Sequence, residues 1–223
     1  MSGIELNRMI DHTILKPEAS EQDVIGLCEE GKRYNFRSVV VNTHFVRLAA
    51  SQVKGSGVRV CSIAGFPLGA VNSSVKAFEA EQAVRDGADE IDMVLNIGAF
   101  RSGRKGFAQQ DIAGVVKAAG PDAVVKVIIE AALLTDAEKQ EACSLAVDGG
   151  ADFVKTSTGF GPPGANSRDV RIMREAVGDD FGVKASAGIR TAAAAVELIR
   201  AGANRIGTSS GVKIMNEFSA GSY

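Results

Sequence analysis

A three-residue joint recurs along this chain, and it limits the possible folds more than any other feature. Gly-Ala-Asp or Gly-Ala-Asn stands at residues 87–89, 150–152 and 202–204, each time after a helix-like segment and directly before an apolar run. Glycine is favoured just beyond the C-terminus of a helix because it adopts the left-handed conformation without strain. Three copies of one helix-to-strand joint predict repeated αβ units, and therefore a parallel sheet.

The rest of the chain divides into the same units. Apolar runs predict eight strands, at residues 9–15, 38–42, 58–64, 90–96, 124–130, 153–158, 182–186 and 205–208. The first is the least regular, because Asp11, His12 and Thr13 interrupt it, and a frayed N-terminal segment is the alternative. Eight strand–helix units without a linker favour a (β/α)8 TIM barrel, a single α/β domain over residues 1–223 with a short tail from about residue 217. An open doubly wound sheet is the second possibility.

Composition excludes several classes of partner. The 223 residues carry a formal charge of −2 and only 5 % aromatic residues, so nothing indicates a surface for nucleic acid or for an anionic membrane. The three cysteines and two histidines form no spaced cluster, which argues against a disulfide framework and against a metal site. No signal peptide or membrane-spanning run is recognisable, and reduced thiols are typical of the cytoplasm. We therefore expect a cytoplasmic protein.

Four charged residues lie inside predicted buried strands, where a charge is costly unless it is paired or functional: Asp92, Lys126, Lys155 and Lys184. Asp92 and Lys155 both stand five residues after their joint glycine, so equivalent strands should point both side chains into the barrel. Lys155 and Lys184 belong to consecutive strands and should be neighbours. For Lys126, among aliphatic residues, we favour the role of partner to a buried acid.

This arrangement has a chemical consequence. Two ammonium groups held close together in a site of low dielectric repel, which lowers the pKa of at least one of them. A neutral amine attacks a carbonyl to form an imine, which draws electrons from a neighbouring carbon–carbon bond. Asp92 and the second lysine can then transfer protons. For Asp92 taken alone, a structural ion pair is an equally good interpretation.

The loops after the last two strands contain small and polar residues. They span residues 186–190 and 207–211, and such loops bind phosphate through backbone N–H groups in many barrels. A simple helix-capping turn is the alternative for each. The stretch 159–164 matches the dinucleotide pattern G-x-G-x-x-G, but Pro162 and Pro163 remove the N–H donors that the pattern needs, so we interpret it as a rigid loop of the active site.

Seven short segments, spread from the first predicted strand to the last, resemble a known enzyme family. Their sequences are IDHT at 10–13, AGFPLG at 64–69, EIDMV at 90–94, KVIIE at 126–130, DFVKTSTGF at 152–160, VKAS at 183–186 and RIGTSSG at 205–211. Together they resemble the deoxyribose-phosphate aldolase family of class I aldolases, and DFVKTSTGF is the most specific of them. The resemblance implies a barrel that cleaves 2-deoxy-D-ribose 5-phosphate to acetaldehyde and D-glyceraldehyde 3-phosphate, without cofactor or metal, and a homodimer or homotetramer.

The resemblance also assigns roles by motif position. Lys155 corresponds to the imine-forming lysine, Lys184 to the lysine that tunes its pKa, and Asp92 to a carboxylate that relays protons with Lys184 and an ordered water. Five further positions correspond to substrate ligands: Gly159, Gly188, Ser209 and Ser210 at the phosphate, and Asp11 near the substrate hydroxyls.

The sequence departs from the family pattern in two places, and other functions stay open. Ala187 replaces the first of two usual glycines, and Pro162 with Pro163 stiffens a loop. The C-terminal Tyr223 corresponds to a tyrosine that closes over the site in some members, or else to a disordered tail. The alternatives are another imine-forming aldolase of sugar phosphates, a transaldolase-like barrel, and a binding protein that has kept the barrel.

Overall fold

In the computed structural model, which describes residues 5–161 and 163–221, eight parallel strands close into a barrel in sequence order. The strands are β1 (Ile10–Ile14), β2 (Ser38–Val41), β3 (Arg59–Ala64), β4 (Glu90–Val94), β5 (Val124–Ile128), β6 (Phe153–Lys155), β7 (Gly182–Ser186) and β8 (Arg205–Thr208). Pairing of His12 with Thr208 joins β1 to β8, which confirms the barrel and excludes the open sheet. The irregular first segment is a true strand.

Helices connect successive strands and form the outer layer. They are α1 (Glu21–Tyr34), α2 (Val46–Val53), α3 (Ser73–Arg85), α4 (Ile97–Arg101), α5 (Lys105–Ala119), α6 (Asp136–Asp148), α7 (Ser167–Val177), α8 (Ala192–Arg200) and α9 (Gly211–Ser219). A capping box begins α6, where Thr135 and Glu138 each accept a hydrogen bond from the other's backbone N–H. The joint glycines 87, 150 and 202 have φ of +109°, +80° and +116°, as helix-ending glycines do.

Several element boundaries differ from the sequence prediction for local reasons. Strand β4 ends at Val94, two residues early, because the Asn96 side chain accepts a hydrogen bond from Ala99 and begins α4. Strand β5 ends at Ile128 because Glu130 adopts a left-handed backbone with φ of +47°. The expected tail from about residue 217 starts later, since α9 continues to Ser219. Pro162 and Tyr223 lie outside the described residues.

The core has two compartments. The larger one fills the space between strands and helices with aliphatic side chains. The smaller one lies inside the barrel, where Leu15, Val40, Cys61 and Ile63 form an apolar cluster. Buried charged side chains from β1, β4, β5, β6, β7 and β8 occupy the rest of the interior. Over the described part of the chain, no helix is both long and apolar enough to cross a membrane.

Candidate active site

A cavity of about 730 Å³ opens where the strands end. Its walls come from the loops that follow β1, β6, β7 and β8, and from one face of α1. In a TIM barrel this is the end that carries the reactive groups. Lys155, at the last position of β6, reaches the cavity wall with only 4 % of its surface exposed.

Lys155, Asp92 and Lys184 meet beneath this cavity. The Asp92 Oδ2 atom accepts hydrogen bonds from Lys155 Nζ at 2.7 Å and from Lys184 Nζ at 2.8 Å. Lys155 and Lys184 lie on neighbouring strands, as the sequence predicts, and the structure further makes them direct partners in the register of β6 and β7. Both inward orientations inferred from the joint glycines are therefore correct, and two lysines from two strands share one oxygen of Asp92.

The two lysines differ in proton affinity. Burial lowers the pKa of Lys155, and the Lys184 ammonium lowers it further against the pull of Asp92. Burial also opposes the charge on Lys184, but Asp11 and Asp92 outweigh it and raise the pKa of that lysine. The repulsion inferred from the sequence is present, but desolvation is the larger cause of the lowered pKa. Lys155 is the amine that loses its proton more easily.

A closed ring of ion pairs lies below Lys155, and we call it the charge ring. Its six members alternate in sign around the barrel interior: Asp92, Lys126, Glu90, Arg205, Asp11 and Lys184. None of these side chains is more than 5 % exposed. Three carboxylates and three cations make the ring electrically neutral when every member is ionised. Lys155 is attached to the ring through Asp92 but is not needed to close it.

Lys126 closes the ring on the side of β5. Its Nζ atom lies 2.9 Å from Asp92 Oδ1 and 2.6 Å from Glu90 Oε2. Burial disfavours its charge, but Asp92 and Glu90 more than compensate, and the pKa of Lys126 is well above its usual value. Lys126 therefore has the acidic partners that we expected, although its sequence neighbours are aliphatic.

Arg205 and Asp11 close the ring on the opposite side. Arg205 Nη1 lies 2.9 Å from Glu90 Oε2 and 2.8 Å from Asp11 Oδ1, and Asp11 Oδ2 lies 2.5 Å from Lys184 Nζ. Ser38 Oγ also donates to Asp11 Oδ1 at 2.7 Å. Burial opposes ionisation of Asp11, but Lys184 and Arg205 outweigh it and hold its pKa far below the usual range.

The predicted phosphate ligands separate into two groups. Gly159, Gly188 and Ser209 line the main cavity. Ser210 instead lines a smaller adjoining cavity between α1 and α9, and its N–H already donates to Thr208 Oγ1 at 2.9 Å. Asp11, which the resemblance puts near the substrate hydroxyls, is fully buried in the charge ring and is not part of the cavity wall.

Comparison with known proteins decides the family. Residues 7–217 match the family model described as "DeoC/LacD family aldolase". The chain belongs to this family. It is 56 % identical over 213 residues to the deoxyribose-phosphate aldolase of Enterococcus faecalis, covering 96 % of this chain and 97 % of the relative. For the corresponding protein of Carboxydothermus hydrogenoformans the identity is 53 %, with 99 % and 98 % covered.

Solved structures of aldolases have the same fold. The deoxyribose phosphate aldolase of Aeropyrum pernix, described as having a unique tetrameric structure, superposes with a TM-score of 0.90 at 37 % identity, over 96 % of this chain and 91 % of that one. An aldolase called QR15 superposes with a TM-score of 0.93 at 41 % identity, over 97 % of each chain. The resemblance drawn from the seven motifs is thus confirmed, and the chain is an aldolase.

Sequence reasoning missed two members of the charge ring. Glu90 and Arg205 are the first residues of β4 and β8 and are almost fully buried. The criterion that identified the strand lysines, a charge inside a buried strand, applies equally to both. It also missed Lys16, which follows β1 and lines the cavity. Phe160 and Arg190 line it too, inside the two loops 159–164 and 186–190 that the sequence had marked, but without a role of their own.

One departure from the family pattern, Ala187, falls where the backbone conformation favours glycine. Ala187 has φ of +74° and Gly188 has φ of +77°, so both residues are left-handed. Glycine adopts this conformation freely, whereas alanine is strained in it. The Ala187 methyl group lies across the cavity wall from Gly159, 3.5 Å from where a Cβ of that glycine would stand. A family pattern with two glycines suits this turn better than Ala-Gly does.

Proposed function

We propose that this aldolase reversibly cleaves 2-deoxy-D-ribose 5-phosphate to acetaldehyde and D-glyceraldehyde 3-phosphate through an imine on Lys155. The observation that carries the proposal is the position of the Lys155 amine, at the cavity wall and 2.7 Å from Asp92, with its pKa lowered by burial. The full-length similarity to proteins named deoxyribose-phosphate aldolase supports the choice of substrate.

The neutral Lys155 amine attacks the substrate aldehyde at C1, and loss of water gives a protonated imine. That cation accepts the electron pair of the C2–C3 bond as the C3 hydroxyl loses its proton, so glyceraldehyde phosphate leaves and an enamine remains. Protonation of the enamine at C2 and hydrolysis release acetaldehyde and restore the amine. Each proton transfer needs a group within hydrogen-bonding reach of the reacting atoms.

Asp92 and Lys184 are the groups that we propose for these transfers. Asp92 Oδ2 is the oxygen shared by both lysines, so it passes a proton between Lys184 and the atoms bound to Lys155. Asp11 contributes indirectly, because it holds the Lys184 ammonium at 2.5 Å from inside the barrel. This role for Asp11 replaces direct contact with the substrate hydroxyls.

We propose that phosphate binds at the cavity residues that follow β6, β7 and β8. Gly159, Gly188 and Ser209 offer backbone and hydroxyl donors there, and the exposed Arg190 lines the same cavity. Lys16, two residues after β1, adds a second exposed cation. Backbone N–H groups and cations together favour a dianion. We leave Ser210 out of this set because its N–H is already bonded to Thr208.

Borohydride trapping tests the imine. Incubation with acetaldehyde and borohydride, followed by peptide mass spectrometry, should show an ethyl group on Lys155 and no labelling of Lys126 or Lys184. Lys155→Met provides the matched control and should abolish the adduct. An adduct confined to another lysine, or none with active enzyme, would contradict the mechanism.

Comparison of substrates tests the reaction. We expect kcat/KM for deoxyribose 5-phosphate to exceed that for other sugar phosphates by at least about 100-fold, because a site built to bind a hydroxyl rejects analogues that leave its polar groups unpaired. Faster turnover of a different sugar phosphate would indicate another imine-forming aldolase. Activity should survive EDTA, since the proposed chemistry uses no metal.

We infer that the protein is a homodimer or homotetramer and that it acts in the cytoplasm. The tetramer described for the Aeropyrum pernix relative supports self-association. Val75 and Phe78 lie one turn apart on α3 and are 42 % and 60 % exposed, which is typical of a surface that another subunit covers. The three free cysteines fit a reducing compartment. Light scattering of the purified protein measures its oligomeric state.

A further inference from the structure

Three members of the charge ring have no part in the chemistry described so far. Glu90, Lys126 and Arg205 lie deep in the barrel, and the cavity wall contains none of them. Burying three more charges is costly unless they are mutually paired. Two opposite charges could neutralise each other without further contacts. Glu90, Lys126 and Arg205 instead connect Asp92 to Asp11 through an unbroken chain of ion pairs, with N···O distances between 2.6 and 2.9 Å.

The two oxygens of Asp92 serve different partners. Oδ2 accepts from Lys155 and Lys184, while Oδ1 accepts from Lys126 Nζ at 2.9 Å and from Cys61 Sγ at 3.3 Å. Lys126 therefore fixes the carboxylate plane from behind and keeps Oδ2 directed at the two lysines. Glu90 holds Lys126 in turn, at 2.6 Å.

The buried charges of the ring and Lys155 do not balance when Lys155 is protonated. The ring is neutral on its own, so protonated Lys155 is the one surplus charge among seven buried groups. Loss of that proton leaves an electrically balanced interior. Removing a carboxylate from the ring would increase the surplus of positive charge around Lys155. Removing a ring cation would cancel that surplus. The charge of the distant members is thus coupled to the proton on Lys155.

We propose that Glu90, Lys126 and Arg205 are positioning residues that hold Asp92 and fix the net charge around the Lys155 amine, and thereby set the pH range in which that amine is nucleophilic. The proposal deepens the imine mechanism proposed above and depends on it for its catalytic meaning. The coupling itself is a property of the buried charges and can be measured without turnover.

Other charged or titratable groups face Lys155 and must be considered beside the ring. Asp92 from β4 pairs with it directly, and Lys184 from β7 is its register partner and binds the same Asp92 oxygen. Cys61 from β3 lies behind Asp92. Burial and Asp92 raise the pKa of the Cys61 thiol to about 12, so it stays neutral. Toward the solvent, the cavity wall carries Lys16, Asp23, Glu30 and Arg190, and the buried His12 lies beneath them, 2.6 Å from Glu30. Water and salt screen this outer group, whereas nothing screens the ring.

Two partly exposed arginines contact the ring at Glu90. Arg37 and Arg59 lie 3.7 and 4.0 Å from Glu90 Oε1, with side chains 31 % and 41 % exposed. They lie at the end of the barrel opposite the cavity: Arg37 directly precedes β2, and Arg59 is the first residue of β3. Their partial exposure weakens their effect on Lys155, and they are unchanged in every variant considered below.

Competitive labelling measures the amine directly. Trace acetic anhydride is added to the native protein across a range of pH, and mass spectrometry follows acetylation of Lys155 relative to the exposed Lys54. Glu90→Gln should move the midpoint for Lys155 to lower pH, on the order of one unit, because a negative charge is lost. Lys126→Met should move it to higher pH. The double variant should restore the wild-type midpoint.

Controls separate this effect from simple damage. Glu81→Gln removes an equal charge from an exposed ion pair on α3 and should leave the midpoint in place. Should Glu90→Gln fail to fold, two substitutions of Arg205 give the same test. Arg205→Met removes a ring cation and should raise the midpoint of Lys155 acetylation. Arg205→Lys keeps the positive charge and should leave that midpoint unchanged. Shifts of the same sign for Glu90→Gln and Lys126→Met, or none for both, would overturn the proposal.

The same variants distinguish this proposal from the proposed function. The acid limb of the pH profile of kcat/KM for deoxyribose 5-phosphate should move with the labelling midpoint. At a fixed pH on that limb, kcat/KM should change by up to about tenfold. If labelling shifts as expected but the rate does not, the ring controls the amine and the imine mechanism is wrong. If trapping succeeds but labelling does not shift, the mechanism holds and the ring is merely structural.

Discussion

At the scale of single residues, the same side chain behaves differently on neighbouring strands. Lys155 and Lys184 are register partners, and both bind Asp92 Oδ2. Lys184 also binds Asp11, which raises its pKa in spite of burial, whereas the other side of Lys155 faces the cavity. The second carboxylate therefore keeps Lys184 charged, whereas Lys155 is the amine that we propose to react.

Replacing each lysine should separate these roles. Lys155→Met should reduce turnover by at least about 10³-fold but change the free energy of unfolding by less than about 1 kcal/mol, because the charge ring stays neutral. Lys184→Met leaves Asp11 and Asp92 each short of a cation and should cost about 3–5 kcal/mol. Urea denaturation measures both. Equal destabilisation by the two variants would contradict the ring as we describe it.

Ala187 offers a test of the phosphate site. Ala187→Gly removes a methyl group and the strain of a left-handed alanine, so backbone N–H groups of this turn can approach a dianion more closely. We expect KM for deoxyribose 5-phosphate to fall by about threefold, with kcat unchanged and the free energy of unfolding within about 1 kcal/mol of wild type. Unphosphorylated deoxyribose is the control substrate and should show no change. An equal effect on both substrates would place Ala187 away from the phosphate.

At the scale of elements, a buried ion pair joins two neighbouring helices to the barrel. Lys76 of α3 lies 2.5 Å from Asp111 of α5, and neither side chain is exposed. Lys76 Nζ also donates to the carbonyl of Val94, the last residue of β4. The end of the strand that carries Asp92 is thus fixed to its two covering helices.

This contact predicts a large difference between single and double substitution. Asp111→Ala leaves Lys76 buried without its anion and should destabilise the fold by about 3–5 kcal/mol. The double variant Lys76→Met with Asp111→Leu replaces the pair by apolar groups of similar volume and should lie within about 1 kcal/mol of wild type. Chemical denaturation of the three proteins checks the prediction. A double variant as unstable as Asp111→Ala would contradict the mutual compensation of the two charges.

At the scale of the whole molecule, the barrel interior carries its acids in ionised form. Surrounding cations outweigh burial at Asp11, Glu90 and Asp92, and the pKa of each carboxyl is below its usual value. A carboxyl with a lowered pKa in the folded state contributes stability that is present above its unfolded pKa, and that is lost as the pH falls. The fold is therefore expected to be sensitive to acid.

Denaturation as a function of pH tests this expectation. The free energy of unfolding should be nearly constant above about pH 5 and should decrease as the pH drops below about 4. In that acid range, unfolding should be linked to the uptake of about three protons. High salt, about 1 M, shortens the Debye length to about 3 Å and suppresses the contribution of surface acids, but not that of the ring. Stability that stays constant down to about pH 3 in high salt would contradict ionised buried acids.

The sequence by itself determined the barrel and the three central side chains. Joint glycines and strand lysines are local features, and a strand has a period of two residues, so orientation follows from counting. The tertiary structure alone decided that Asp11 supports Lys184, that Ser210 lies outside the main cavity, and that six charges close a ring. These contacts join residues up to 194 positions apart. Their partners depend on barrel closure and strand stagger, which no local pattern encodes.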